Sequence, residues 1–170
     1  MRKCSECGGD MTTEKNAVIR YDMAGLPHVE LHGVTIERCP KCGEETIAIP
    51  RLEQLHRVLA HAFITQPRMI APVEIKFLRK HMGLSSADFA QRMGVARETV
   101  SRWEAGAQPM GAVADRLLRL LAITYEPTES YAVDDLLQEL TDAPVPERLK
   151  SVAVWNDNGW KQKGAKLAPA

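Results

Sequence analysis

Residues 84–109, LSSADFAQRMGVARETVSRWEAGAQP, decide the fold of this chain. Two short stretches with helical periodicity are separated only by Gly94 and Val95, and the first opens with Ser85 and Asp88 at capping-box spacing. Apolar and small residues stand where two helices crossing near a right angle would touch: Phe89, Ala90, Met93, Val100 and Trp103. The stretch therefore predicts a helix-turn-helix.

Burial of Val100 and Trp103 would turn the polar residues of the second helix outward. The N-terminal half of that helix is the part that enters the major groove in helix-turn-helix proteins. Arginine can donate two hydrogen bonds to guanine, and glutamate can accept one from cytosine. We therefore interpret four residues as base-reading, with a preference for G·C pairs: Arg97, Glu98, Ser101 and Arg102.

Three further hydroxyl residues are predicted to hold phosphates and fix the register on DNA: Ser85, Ser86 and Thr99. The alternative interpretation is a solvated helix face on which Glu98 and Arg102 form only an i,i+4 pair.

The charge distribution agrees weakly with nucleic-acid binding. The whole chain is neutral, with 22 basic and 22 acidic residues, but residues 70–125 hold eight basic against five acidic residues. Residues 126–142 carry six acids and no base, so we expect this segment to lie away from phosphates.

Four cysteines form two C-x-x-C pairs, in CSECGG and CPKCGE. Each pair is followed by glycine, as in the tight turns whose backbone N–H groups face metal-bound sulfur. Four thiolates leave no open coordination position, so we predict one structural Zn²⁺ per chain, bound by Cys4, Cys7, Cys39 and Cys42. Iron in the same site, disulfides, and a thioredoxin-like redox pair are the alternatives.

The remaining patterns give an α+β fold class. Between the cysteine pairs the sequence predicts a hairpin, and after them a short strand and an amphipathic helix. We expect a small zinc-binding β domain over 1–66, a linker over 67–72, an all-α helix-turn-helix and dimerisation domain over 73–142, and a C-terminal tail over 143–170. In that tail, Asn158 and Gly159 can turn a hairpin flanked by Trp155 and Trp160, unless the tail is disordered.

Composition and motifs limit the function classes. The 170 residues are 45% hydrophobic and 26% charged, and no apolar run approaches the roughly 20 residues of a membrane span. The N-terminus lacks the apolar core of a secretion signal, so we expect a cytoplasmic protein without membrane contact. We find no open metal position, no catalytic Ser/His/Asp or Cys/His arrangement and no phosphate-cradling glycine loop, so we expect no enzyme.

The 84–109 stretch resembles Xre/Cro-type helix-turn-helix domains, whose S-R-x-E-x-G ending is matched by Ser101, Arg102, Glu104 and Gly106. Together with the preceding cysteine unit, residues 1–125 are similar to MqsA-type antitoxins, the YgiT-type zinc-finger family. Ala96 departs from this pattern, because Xre domains usually begin the second helix with Ser or Thr.

The resemblance implies a function. In that family the zinc domain binds a small ribonuclease toxin, and the C-terminal domain dimerises and represses its own operon at a palindrome. It therefore implies a homodimeric transcriptional repressor and antitoxin that binds double-stranded DNA through Arg102, among other residues. The alternative is a stand-alone zinc-containing Xre-type regulator without a toxin. Two apolar stripes, Val113, Leu117, Leu120 and Leu121 and then Val133, Leu136, Leu137 and Leu140, are interpreted first as core. A two-fold protein also needs a dimer contact, which we expect on one of these stripes or on part of one.

Overall fold

The computed structural model describes residues 2–125, 137–156 and 158–163. Three strands come first: β1 (Thr12–Tyr21), β2 (Leu26–Arg38) and β3 (Glu45–Ala48). Helices follow: α1 (Leu52–Thr65), α2 (Pro72–His81), α3 (Ser86–Met93), α4 (Arg97–Glu104) and α5 (Ala112–Tyr125). The described chain ends with β4 (Ser151–Asn156) and β5 (Gly159–Lys163). This succession confirms the α+β class.

The chain forms two compact units. The first contains the described parts of Met1–Asp22, Pro27–Val58 and Lys150–Ala170, and the second those of Met23–Leu26 and Leu59–Leu149. The division falls inside α1. It differs from the expected boundaries chiefly because the strands after Lys150 belong with the N-terminal strands. Of the second apolar stripe, Val133 and Leu136 lie outside the described residues.

The first unit is built on a five-stranded sheet in the order β1-β2-β4-β5, with β3 also paired to β2. The N-terminal half of β2 pairs in parallel with β4, from Val29 opposite Ser151 to His32 opposite Val154. Its C-terminal half pairs antiparallel with β3, beginning with Thr35 opposite Ala48. Strand β2 therefore exchanges one partner for another around Gly33.

Gly33 lies where β4 approaches β2 most closely. Its φ is +89°, and a Cβ atom there would lie 2.8 Å from the carbonyl oxygen of Trp155. Around it, the buried positions of β2 shift from 29 and 31 to 34 and 36, as happens when one extra residue is inserted in a strand. Only glycine meets both conditions, the positive φ and the missing side chain.

The C-terminal hairpin is present and forms part of the sheet. Strands β4 and β5 are antiparallel, with Trp155 opposite Trp160 and Asn156 opposite Gly159. The indole of Trp160, only 3% exposed, donates to the carbonyl of Pro50 at 2.7 Å. The hairpin could be predicted from Asn158 and Gly159, but its parallel pairing with a strand so distant in sequence leaves no local signal.

The second unit has an all-helical core. Helix α3 packs against α4 and α5, and α4 packs against α2. The buried side chains include the residues predicted to join α3 and α4, together with aromatic and aliphatic residues of the other helices: Phe63, Ile75, Phe77, Leu78, Met82, Leu84 and Leu118.

The segment between α1 and α2 is held by buried charges. Arg119 of α5 is fully buried and donates to Asp115 at 2.7 Å and to the carbonyls of Gln66 and Arg68 at 2.8 and 2.6 Å. Asp115 accepts from the backbone N–H of Ile70 at 2.8 Å. Residues 67–72, expected to be a linker, are thus fixed to α5, because a buried arginine can satisfy several carbonyls at once.

Candidate metal centre and nucleic-acid interface

The four cysteine sulfurs converge in the first unit. All four Sγ atoms lie within 4.8 Å of one another, and none is in a disulfide. The Sγ atoms of Cys4 and Cys42 are 3.6 Å apart, and those of Cys7 and Cys39 are 3.4 Å apart. A zinc–sulfur bond of about 2.3 Å places the sulfurs of a tetrahedral site about 3.8 Å apart. The cluster therefore fits a four-coordinate metal ion.

Two similar turns position the sulfurs. Gly8 donates its N–H to the carbonyl of Cys4 at 3.0 Å, and Gly43 does the same to Cys39 at 2.9 Å. Both glycines have positive φ, 69° and 79°, as the sequence pattern requires. The backbone N–H groups of Cys42 and Lys41 lower the pKa of Cys39 to about 6. These N–H groups thus favour the thiolate at Cys39, the form that binds metal. At Cys7 and Cys42 the backbone N–H groups of Gly9 and Glu44 act in the same direction, but the neighbouring sulfurs and burial outweigh them and raise the pKa.

The α3–turn–α4 segment has the predicted local contacts. Ser85 accepts from the N–H of Asp88 at 3.1 Å, and the Asp88 carboxylate accepts from the N–H of Ser85 at 3.3 Å. Helix α3 ends at Gly94 in the left-handed conformation, with φ of 67°. Helix α4 begins after Ala96, which makes no side-chain cap. The capping box and the turn glycine therefore set the short spacing between the helices.

The surface of α4 presents the residues predicted to read bases. One side of the helix is buried through Val100 and Trp103, at 0% and 4% exposed. Among the described residues, no ion pair joins Glu98 to Arg102. Both side chains therefore remain available to contact DNA. Four side chains are solvent-exposed on this helix: Arg97, Glu98, Ser101 and Arg102.

The three residues predicted to contact phosphates differ in exposure and in their hydrogen bonds. Thr99 and Ser86 are half-buried beside the ends of α4 and α3. The Ser85 hydroxyl accepts from Asp88 N–H and donates to its carboxylate at 2.6 Å. A carboxylate this close to the Ser85 hydroxyl repels a phosphate, which counts against Ser85 as a phosphate contact.

A buried ion pair that was missed in the sequence holds α4 in place. Arg79 of α2 donates to both carboxylate oxygens of Glu104, with the longer contact at 3.1 Å, and to the carbonyl of Leu84 at 2.9 Å. In the sequence, Glu104 stands out only as part of the S-R-x-E-x-G ending. Arg79, an arginine among the apolar residues on the buried face of α2, is the feature that could have indicated a buried ion pair.

The helical part of the chain matches a known protein family. Residues 75–127 match the helix-turn-helix family model. The match spans most of α2 and all of α3, α4 and α5, and covers less than half of the chain. It supports a DNA-binding transcriptional regulator whose DNA-binding part is this helix-turn-helix domain.

Neither the curated proteins nor the solved structures gave a match to any part of the chain. Among the described residues, no helix has the length and apolar character required to cross a membrane.

Proposed function

We propose that the protein is a sequence-specific, zinc-containing transcriptional repressor without catalytic activity, acting on DNA in the cytoplasm. The observation that carries this proposal is the two-sided character of α4. Val100 and Trp103 lock one side into the helical core, and the base-reading candidates project together from the other. The helix-turn-helix match supports the same reading.

The metal part of the proposal is one structural Zn²⁺ bound by the four cysteines. Their spacing suits tetrahedral coordination, and all-thiolate ligation leaves no position for a reacting water. Zinc binding contributes about 10–16 kcal/mol in isolated zinc-finger peptides, so the ion would supply much of the stability of its surroundings. Metal analysis of protein purified without added metal distinguishes zinc from iron.

We also propose that the repressor is a homodimer that uses an exposed part of α5. Val113 and Leu120, seven residues apart and therefore on one face of α5, are 83% and 36% exposed. A two-fold pair of helix-turn-helix domains would match a palindromic operator. Light scattering at micromolar concentration should give a dimer for the native chain and a monomer for Leu120→Glu, with Gln91→Glu as a control on exposed α3.

The antitoxin role is the most specific part of the proposal. It rests on the order of a four-cysteine unit followed by an Xre/Cro-type domain, as in MqsA-type antitoxins. In this role the first unit would bind and neutralise an mRNA-cleaving toxin, and the complex would autoregulate its operon. Co-expression with the product of a small adjacent reading frame tests it. If no neighbouring product binds, the stand-alone regulator is the better description.

The decisive experiment for DNA binding starts with a site selected from random duplexes. Arg102→Ala should weaken binding to that site by about 10- to 100-fold, because one bidentate base contact is worth about 1–3 kcal/mol. Weak, salt-sensitive binding to random DNA should remain. Arg92→Ala, which removes an exposed arginine of α3, serves as the matched control. Equal losses on selected and random DNA would exclude a base-reading role for Arg102.

A further inference from the structure

Ala96 begins α4 without the side-chain cap that α2 and α3 have. Helix α3 begins at Ser85, whose hydroxyl accepts from the N–H of Asp88 at 3.1 Å. Helix α2 also begins after an alanine, but there the Glu74 carboxylate accepts from the N–H of Ala71 at 2.8 Å. Ala96 makes no side-chain cap, and no acidic residue stands three positions after it. Alanine is among the poorest N-cap residues, so α4 lacks a contact that usually stabilises a helix start.

The uncapped start of α4 presents a methyl group on the surface. Ala96 is exposed, and Arg97, the first of the base-reading candidates, follows it directly. A serine or threonine at this position would satisfy a free N–H group of the first turn. A local rule that is broken at an exposed position points to a functional role for the residue that breaks it.

The backbone holds this methyl group in a fixed position. Ala96 has φ of −70° and ψ of 151°, and its carbonyl accepts from the N–H groups of Thr99 and Val100 at 3.0 and 3.4 Å. The preceding residue, Val95, donates its N–H to the carbonyl of Ala90 on α3 at 3.0 Å. Because alanine loses no rotamer freedom when it is buried, a contact to its methyl group costs no side-chain entropy.

The chemistry of the major groove indicates what such a methyl group can recognise. The arginine and glutamate candidates on α4 favour G·C pairs, through guanine O6 and N7 and cytosine N4. Thymine is distinguished there by its O4 atom and its C5-methyl group, and the methyl group is recognised by apolar contact, including contact with alanine. Unmodified DNA carries a C5-methyl group only on thymine. An exposed alanine beside polar base-reading candidates is therefore suited to read an A·T pair.

We propose that Ala96 is a specificity-determining residue, whose methyl group contacts the C5-methyl group of one thymine in each half-site. This inference rests on the proposed binding of DNA through α4. It adds an A·T pair to the G·C pairs that Arg97, Glu98 and Arg102 favour. The missing cap is the structural cost of this contact, because a hydroxyl at position 96 would place a polar group against the methyl group of thymine.

The test replaces each thymine of the site selected from random duplexes, one at a time, by deoxyuridine, which pairs identically and lacks the methyl group. Native protein should bind about three- to fivefold more weakly when one particular thymine of each half-site is replaced, as expected for the loss of one buried methyl group. Ala96→Gly should bind the unmodified site more weakly by the same factor and should not distinguish thymine from deoxyuridine at that position. Glycine is a better N-cap than alanine, so this variant should fold.

Ala105→Gly is the matched control, since Ala105 is an exposed alanine at the opposite end of α4, and this variant should keep the native sensitivity. Fluorescence anisotropy with labelled duplexes gives the dissociation constants. The proposal is overturned if the selected site has no thymine whose methyl group matters, or if Ala96→Gly remains as sensitive to deoxyuridine as native protein. Both of these outcomes leave the repressor proposal in place, because selective binding still occurs. Absence of any sequence preference would overturn both proposals.

Discussion

Arg79 and Glu104 are side chains of opposite charge, 10% and 11% exposed, that join α2 to the end of α4. Burying both charges is costly, and their mutual contact and the bond to the Leu84 carbonyl offset that cost. The pair therefore matters more for where α4 lies than for how stable the unit is. No periodicity argument identifies it, because both residues belong to types that normally face solvent.

Replacing Glu104 with Met should destabilise the second unit by about 3–5 kcal/mol, since Arg79 would remain buried without its carboxylate. The double variant Arg79→Met/Glu104→Met should lose less, because it buries no charge. Urea unfolding of the single and double variants measures the difference. Strict additivity of Arg79→Met and Glu104→Met would show that the two side chains are not coupled.

Asp88 illustrates an exposed contact with a defined pH dependence. Hydrogen bonds from the Ser85 hydroxyl and the Ser85 N–H lower the pKa of the Asp88 carboxyl below its ordinary value of 3.8. A carboxyl whose pKa is lower in the folded state stabilises that state above the unfolded pKa. This contribution is lost as the pH falls through the folded pKa.

We therefore expect native protein to be more stable than Asp88→Asn at pH 6, and the difference to shrink below about pH 4 as the carboxyl protonates. Thermal unfolding of the two proteins between pH 6 and pH 3 provides the measurement. A difference that stays constant over this range would mean that Asp88 acts through its shape and not through its charge.

At the scale of elements, α3 and α4 could be placed from sequence and β2 could not be placed fully. Ser85, Asp88 and Gly94 are local signals for one helix start and one helix end, and the structure has each of them in that role. The strand character of residues 26–38 is also local. The partner strands of β2 cannot be read from local sequence. Gly33 indicates only that another part of the backbone comes close, and the strand that does so begins far away, at Ser151.

Gly33→Ala should disrupt the pairing of β2 with β4, since the new methyl group would meet the carbonyl oxygen of Trp155 at 2.8 Å. Gly25→Ala is the matched control: its φ is also positive, at +74°, but nothing lies within 4 Å of the added carbon. Both variants pay the cost of the left-handed conformation, about 1–2 kcal/mol. Hydrogen exchange at Val29 and Leu31 should rise in Gly33→Ala only, and equal effects would assign the change to φ alone.

For the whole molecule, the sequence predicts a cysteine-rich β unit and a helical unit, but it does not predict which segments of the chain belong to each. The cysteine pairs predicted a cluster, and the helical periodicity predicted the helix-turn-helix. The expected division at residues 67–72 rested on a break in pattern, whereas Arg119 fixes that segment through backbone carbonyls. Carbonyl contacts leave no trace in hydrophobic periodicity. The roles of individual residues on DNA remain predictions from chemistry and exposure.

Cys39→Ser should release the metal and unfold the region around the two cysteine turns while α2 to α5 stay folded. Ser5→Ala, an exposed change inside the first turn, is the control and should retain the metal. Metal content and the residual helical circular dichroism are the measurements. Native protein should also lose metal on acidification, since protons compete for the thiolates. Four freely reactive thiols in metal-loaded protein, or loss of all helical signal, would contradict this expectation.

The pairing of β4 with β2 also sets an order of events during protein synthesis. The helices of the second unit leave the ribosome with nearly all of their partners already made. Residues Val29–His32 have to wait for Ser151–Val154 before one side of their strand is covered. A nascent chain therefore carries an open strand edge until Ser151–Val154 have been synthesised, and during that time the edge is exposed to self-association.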